Sequence, residues 1–134
     1  MNLLVSQIDY DDIKPSVWNR CPMDTPYLGK GTYDAYVIEK SAIALQLLKD
    51  EKPAWIALAR FHDEHMGKEL EIVATYSLED QQSGLFPEAL EALRAWAKKR
   101  GAVSIRFSTL RAGMVKQAKQ NGYEINEIML RRDI

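Results

Sequence analysis

Residues Glu69 to Phe107 read ELEIVATYSLEDQQSGLFPEALEALRAWAKKRGAVSIRF, and the order of patterns inside this stretch decides the fold. The opening run, ELEIVATY, has the length and apolar content of a strand. The middle, Leu78 to Leu90 (LEDQQSGLFPEAL), is polar, carries Gly84 and ends at a helix start. Pro87 suits the first helical turn and Glu88 complements the positive helix end, while Ala89, Leu90, Leu93, Trp96 and Ala97 form a stripe of helical period. Lys98, Lys99 and Arg100 then precede Gly101, the cationic and glycine signals of a helix C-terminus. Ala102 to Thr109 alternates Val103, Ile105 and Phe107 against Ser104, Arg106 and Ser108, as a half-buried strand does. A helix joining two strands in this way is a crossover, so the strands are expected to be parallel neighbours.

The polar loop enters a helix N-terminus, where unpaired backbone N–H groups and the positive end of the dipole converge. Such a place is a candidate phosphate cradle. Upstream, Ala42 to Leu48 (AIALQLL) and Ala54 to Phe61 (AWIALARF) flank KDEKP, which favours an antiparallel hairpin. The alternative is one helix from Tyr33 through Leu48, since alanine and leucine also favour helix. HDEHMGK reads as a second turn, leading into Glu69 to Tyr76. Leu3, Val5 and Ile8 suggest a first strand, after which Asp11 and Asp12 lead into a loop. Residues Cys21 to Thr32 are loop-like, and Thr32 is placed to cap a short helix through TYDAYVIEKS, with Tyr33, Tyr36 and Val37 on one face. Beyond Phe107, a second helix is expected over Ala112 to Gln120, ending at Asn121-Gly122, and YEINEIMLRRDI is expected to form one or two short strands.

At 134 residues, with 18 Lys+Arg against 19 Asp+Glu and a net charge of −1, the composition is that of an ordinary globular domain. No basic block is long enough for a nucleic-acid or membrane footprint. The N-terminus lacks a cationic stretch before its short apolar run, and no run of about 18 apolar residues follows, so neither a signal peptide nor a transmembrane span is expected. Cys21 is the one cysteine, which excludes an intramolecular disulfide and points to a reducing, cytoplasmic setting. His62 and His65 read as parts of a solvated turn rather than a metal site, because nothing completes a ligand set. No metal is expected. Trp55 and Trp96 read as core residues. Trp18, Trp55 and Trp96 have no interleaved basic stripe of the kind that stacks on single strands.

The whole order, a strand, helices, three meandering strands and then helix, strand, helix, strand, resembles the GCN5-related N-acetyltransferase (GNAT) family. Three stretches carry the resemblance: ELEIVATY with the loop and helix that follow, EALRAWAKKRGAVSIRF, and NGYEINEIMLRRDI. It implies an α/β fold in one GNAT-like domain over residues 1–134, a mixed, mostly antiparallel sheet with helices on both faces. It also implies acetyl-CoA as cofactor, held between splayed parallel strands with its pyrophosphate on the loop. The implied binding residues are Ala74, Thr75 and Tyr76 on the strand edge, and Gln81, Gln82, Ser83, Gly84, Leu85 and Phe86 in the loop. The family loop has the pattern Q/R-x-x-G-x-G/A. Gln81 and Gly84 match it, whereas Phe86 stands at the closing small position and is followed by Pro87.

The resemblance implies an acetyl transfer to an amine of a small molecule or protein. Some members use a carboxylate on the strand before the loop as general base, so Glu71 is the first candidate, with Tyr76 and Glu69 behind it. The family tyrosine that protonates the departing thiolate lies four residues before the late glycine, and here that position is Ala118. These two departures open a second class of function: a catalytically inactive GNAT-like binding or assembly protein, of the kind that bacteriophages carry in their virions. The expected partners are an amine substrate in the first case and a second copy or an assembly partner in the second. Nucleic acid and membrane are not expected in either.

Overall fold

The structure, a computed structural model, describes residues 3–13, 33–35, 37, 41–78, 86–107, 112–125, 128, 130, 132 and 134. The central hairpin shows why the middle of the chain is sheet. Strand β2 (Ile43–Lys49) and strand β3 (Lys52–Glu64) are joined by Asp50 and Glu51 alone. Both turn residues have positive φ, 50° and 65°. That handedness at both central positions matches the twist of the flanking strands and makes a tight hairpin. Ser41, with φ of 56°, breaks the chain just before β2, so the helix from Tyr33 through Leu48 does not form. Residues 33–35 and 37 are helical.

The first strand, β1 (Leu3–Ile8), pairs antiparallel with β2. β3 pairs antiparallel with β4 (Gly67–Ser77), and β4 pairs parallel with β5 (Ala102–Phe107). The sheet order is β1-β2-β3-β4-β5. Helix α1 (Phe86–Lys99) is the crossover, and helix α2 (Ala112–Gln120) follows β5. This is a mixed, mostly antiparallel α/β sheet, as the sequence implies.

Strand alternation divides the core in two. On one face Leu45, Leu47, Trp55, Ala57, Ala59, Leu70 and Ile72 pack with Ala89, Leu90, Leu93, Trp96 and Ala97 of α1. On the other, Ala44, Ile56 and Leu58 pack with Ile13 and with Tyr33 from the early helical residues, so helices cover both faces. The tryptophans expected in the core, Trp55 and Trp96, are buried. Full burial of a Leu side chain is worth about 1.5–3 kcal/mol, and Leu45, Leu47, Leu58, Leu70 and Leu93 are all buried. Tyr10 opens a one-turn 3-10 helix (Tyr10–Asp12) capped by the Asp9 carboxylate, which accepts from the Asp11 N–H. Its hydroxyl bonds Asp34, and burial first, then this bond, hold the phenol well above its usual range.

Three expectations are corrected. The second turn is shorter than HDEHMGK, because β3 continues through Glu64 and the chain turns on His65 and Met66. His62 therefore sits on a strand and is not a solvated turn residue. Val103 does not join the apolar face of β5 but is 66% exposed, since the β4–β5 register shifts beside it, between Lys68 and Glu69. Among the described residues of 123–134 none lies in a strand; the apolar residues Ile125, Ile128, Leu130 and Ile134 stay exposed, without the buried face that fixes a strand's register. Among the described residues, no helix is long and apolar enough to cross a membrane. Trp18, Cys21, Thr32 and Tyr36 lie outside the described residues.

Candidate active site

Among the described residues, strand β4 outruns its parallel neighbour. The described β4–β5 ladder runs to Ile72↔Phe107, residues 108–111 lying outside the described residues, whereas β4 continues to Ser77. Ala74 to Ser77 stay paired on their other side with β3, from Ala74↔Leu58 to Ser77↔Trp55. Among the described residues, their other edge meets no strand, and an edge of that kind offers backbone N–H and C=O groups to an extended ligand. The departure coincides with an irregularity. Ala59 pairs Ile72 and Leu58 pairs Ala74, so Val73 is an extra residue, a bulge that bends the strand and raises its twist.

One ladder step before the opening, the face away from α1 carries a chain of charged side chains. Glu71 pairs across β3 with Arg60 and across β5 with Arg106. Its Oε1 lies 2.8 Å from His62 Nε2 and 3.7 Å from Arg60 Nε. Arg106 Nη1 lies 3.1 Å from Glu69 Oε1 and 4.0 Å from Glu64 Oε1. Ser104 Oγ donates to Glu69 Oε2 at 2.8 Å. Single pairs at this exposure stabilise little, about 0–1 kcal/mol each, but the shared partners fix the orientation of every member.

The geometry also assigns the imidazole proton. A carboxylate only accepts, so at 2.8 Å His62 Nε2–H must be the donor to Glu71. In the neutral ring Nδ1 is then the acceptor, and Arg60 Nη2 stands 3.4 Å from it. Arg106 Nη2, 3.2 Å from His62 Nε2, faces another donor and is a contact rather than a hydrogen bond.

The network sorts the carboxylates proposed from sequence. Both oxygens of Glu69 are engaged, by Arg106 and Ser104. Glu71 has its contacts on Oε1, and among the described residues Oε2 has no partner. Glu71 is therefore the carboxylate with an oxygen to offer. Ala74 and Thr75 lie on the free edge of β4, and Tyr76 is opposite Ile56 in the register. Gln81, Gln82, Ser83, Gly84 and Leu85 lie outside the described residues, and Phe86 is the first residue of α1. Ala118 is buried in α2.

His62, Arg60 and Arg106 were not singled out by sequence reasoning as partners of Glu71. The signal was the period-two alternation Arg60, His62, Glu64 running on into what was read as a turn, opposite Glu69 and Glu71. Among the described residues, no group of His, Cys, Asp and Glu is placed to hold a metal ion.

No protein-family model matches the chain, and no curated protein is similar to it in sequence. Solved structures are similar over nearly its full length. A transcriptional regulator from Bacillus halodurans superposes with a TM-score of 0.68 at 13% identity, over 99% of this chain and all (100%) of its own. A GNAT family acetyltransferase from Staphylococcus aureus gives 0.61 at 12% identity, over 100% of both chains. The chain has the GNAT fold. An aminoglycoside 6′-N-acetyltransferase from Acinetobacter haemolyticus is similar to the same extent, 0.63 at 14% identity over 100% of this chain and 98% of its own. At such identities the likeness is one of fold, and chemistry has to be argued from the residues.

Proposed function

We propose that this chain is an acetyl-CoA-dependent N-acetyltransferase acting on an amine of a small molecule or protein, with Glu71 as general base. The carrying observation is that, among the described residues, β4 runs on past its last pair with β5, one ladder step from a carboxylate with an oxygen that has no partner among the described residues. The residues present are compatible with the cofactor: among the described residues the edge of Ala74, Thr75 and Tyr76 away from β3 meets no strand, and α1 starts at Phe86, where the candidate loop ends. Gln81, Gln82, Ser83, Gly84, Leu85 and Phe86 are the sequence's candidates to hold its pyrophosphate. Bound acetyl-CoA supplies the acyl group, so that a C–N bond forms to the amine, the thioester C–S bond breaks and CoA leaves as the thiol.

Glu71 accepts a proton from the acceptor ammonium on Oε2, freeing the nitrogen lone pair, and then releases that proton to solvent. A positioned base of this kind contributes about 10²–10⁴-fold. The acceptor is a cationic amine. Glu64, Glu69 and Glu71 carry three negative charges around Arg60 and Arg106, so with His62 neutral the cluster is one charge negative.

Titration calorimetry with acetyl-CoA tests the reading, with micromolar binding expected and its loss in Gly84→Asp. Glu71→Gln should keep the binding and lose turnover. No binding at millimolar acetyl-CoA sinks the proposal. It would leave the second reading, a non-catalytic binding or assembly protein such as a phage virion component, which Ala118 at the tyrosine position and Phe86 at the small position of the loop favour.

A further inference from the structure

We infer that His62 is the positioning residue that fixes which oxygen of Glu71 does chemistry. The inference rests on the reading of Glu71 as base. A free carboxylate rotates about its terminal torsion and exchanges its two oxygens, because that torsion is broad and two-fold. Here the exchange is blocked from a neighbouring strand. His62 Nε2–H holds Oε1 at 2.8 Å, and Arg60 Nε stands on the same oxygen at 3.7 Å. Oε2 is left as the oxygen that can take a proton. The side chains of His62 and Glu71 are 17% and 24% exposed, enough shelter for the bond to persist and enough opening for an acceptor to arrive.

The lock depends on the imidazole tautomer, and the tautomer is set by a second guanidinium contact. Arg60 Nη2, facing Nδ1 at 3.4 Å, presents a donor to the unprotonated nitrogen, which keeps the ring proton on Nε2 where Glu71 needs it. Arg106 Nη2 stands on the β5 side of the same nitrogen, 3.2 Å from Nε2. The other charged groups facing this cluster, Glu64 on β3 and Glu69 on β4, are turned toward Arg106, so no second carboxylate competes for His62. Arg60 thus orients His62, and His62 orients Glu71.

Two variants separate donation from bulk. His62→Leu removes the N–H donor, and His62→Gln returns one at a similar reach. The expected result is a kcat lower by about 10–100-fold in His62→Leu, the scale of a misplaced catalytic group, with KM for acetyl-CoA unchanged within about 2-fold and His62→Gln recovering most of the loss. Equal losses in both variants, or a change in KM alone, overturn the inference while leaving turnover by the intact chain in place. Absence of turnover in the intact chain overturns the reading of Glu71 as base and this inference with it.

A second readout uses the protein without ligand. The chain has 2 histidines, so nitrogen NMR of the protein and of His65→Gln assigns the His62 ring. A slowly exchanging Nε2–H resonance, lost in Glu71→Ala, is expected. An Nδ1–H tautomer overturns the inference whatever the kinetics show.

Discussion

Replacing Gly67 by alanine tests whether the β3–β4 hairpin is held by backbone geometry. Gly67 has φ of 128°, a region that side chains rarely adopt, and forcing a residue into such a region costs about 1–3 kcal/mol. An added Cβ also meets Val103, at 2.9 Å from Cγ2 and 3.1 Å from Cγ1. Val103 is 66% exposed and has room to turn outward, so relief of that contact costs only the off-rotamer penalty, about 0.5–1.5 kcal/mol. The sum is about 1.5–4.5 kcal/mol. With a urea slope of about 2 kcal/mol per molar, the midpoint should fall by roughly 0.7–2.3 M with the slope unchanged. The double variant Gly67→Ala/Val103→Ala should recover the contact part and leave the backbone part. A loss below about 0.5 kcal/mol in Gly67→Ala, or full rescue by Val103→Ala, would refute the assignment of most of the cost to φ. The hairpin carries function with it, because its register sets Arg60 opposite Glu71 and His62 opposite Glu69.

The opposite sign is expected at the other tight turn. Glu51 has φ of 65° and is exposed, so Glu51→Gly should stabilise by about 1 kcal/mol, raising Tm by about 3–5 °C in a calorimetric scan. Tyr123 packs edge-on against Phe107, with centroids 5.6 Å apart, and its hydroxyl is buried without a partner among the described residues. Tyr123→Phe should therefore be neutral or stabilising in urea at neutral pH. Burial pushes the same hydroxyl up to about 12, Glu91 adds to the rise and Arg94 offsets part of it. Because the folded chain holds this proton more tightly than the unfolded one, its contribution is complete below about pH 10 and is lost as pH rises from there through 12. Urea midpoints should fall over that window, and fall less in Tyr123→Phe. At the end of α1 the Arg100 guanidinium lies 3.9 Å from the Trp96 ring centre and donates to the Trp96 carbonyl. Arg100→Ala should cost about 0.5–1 kcal/mol and change tryptophan fluorescence in the folded state.

The elements legible in the sequence were those whose signals are local. Pro87, the Leu90-Leu93-Ala97 stripe and Gly101 delimit α1 within a residue, and Asn121-Gly122 ends α2, with Gly122 at φ of 88°. The parallel pairing of β4 and β5 followed from the crossover alone. What was not legible depends on register. Whether His62 belongs to a turn or a strand is decided by where His65 and Met66 bend the chain, and HDEHMGK has several polar places to bend. Nor does the sequence reveal that Glu69 is engaged and Glu71 half free, since the difference lies in Ser104 and Arg106 across the parallel ladder. The closing strands expected after Asn121 do not form among the described residues, for a related reason: apolar content alone does not make a strand without a surface that holds it in register.

The extra residue at Val73 has an implication for how this strand tolerates change. Up to Ile72 the odd-numbered side chains of β4 point away from α1, as Glu71 does; past Val73 the even-numbered ones do, as Ala74 does opposite Leu58. The strand is two half-strands joined out of phase. Deleting Val73 would rotate one half by a half-turn against the other, turning either the carboxylates into the apolar core or the downstream core contacts out to solvent. Substitutions within each half can drift separately, but the number of residues between them cannot.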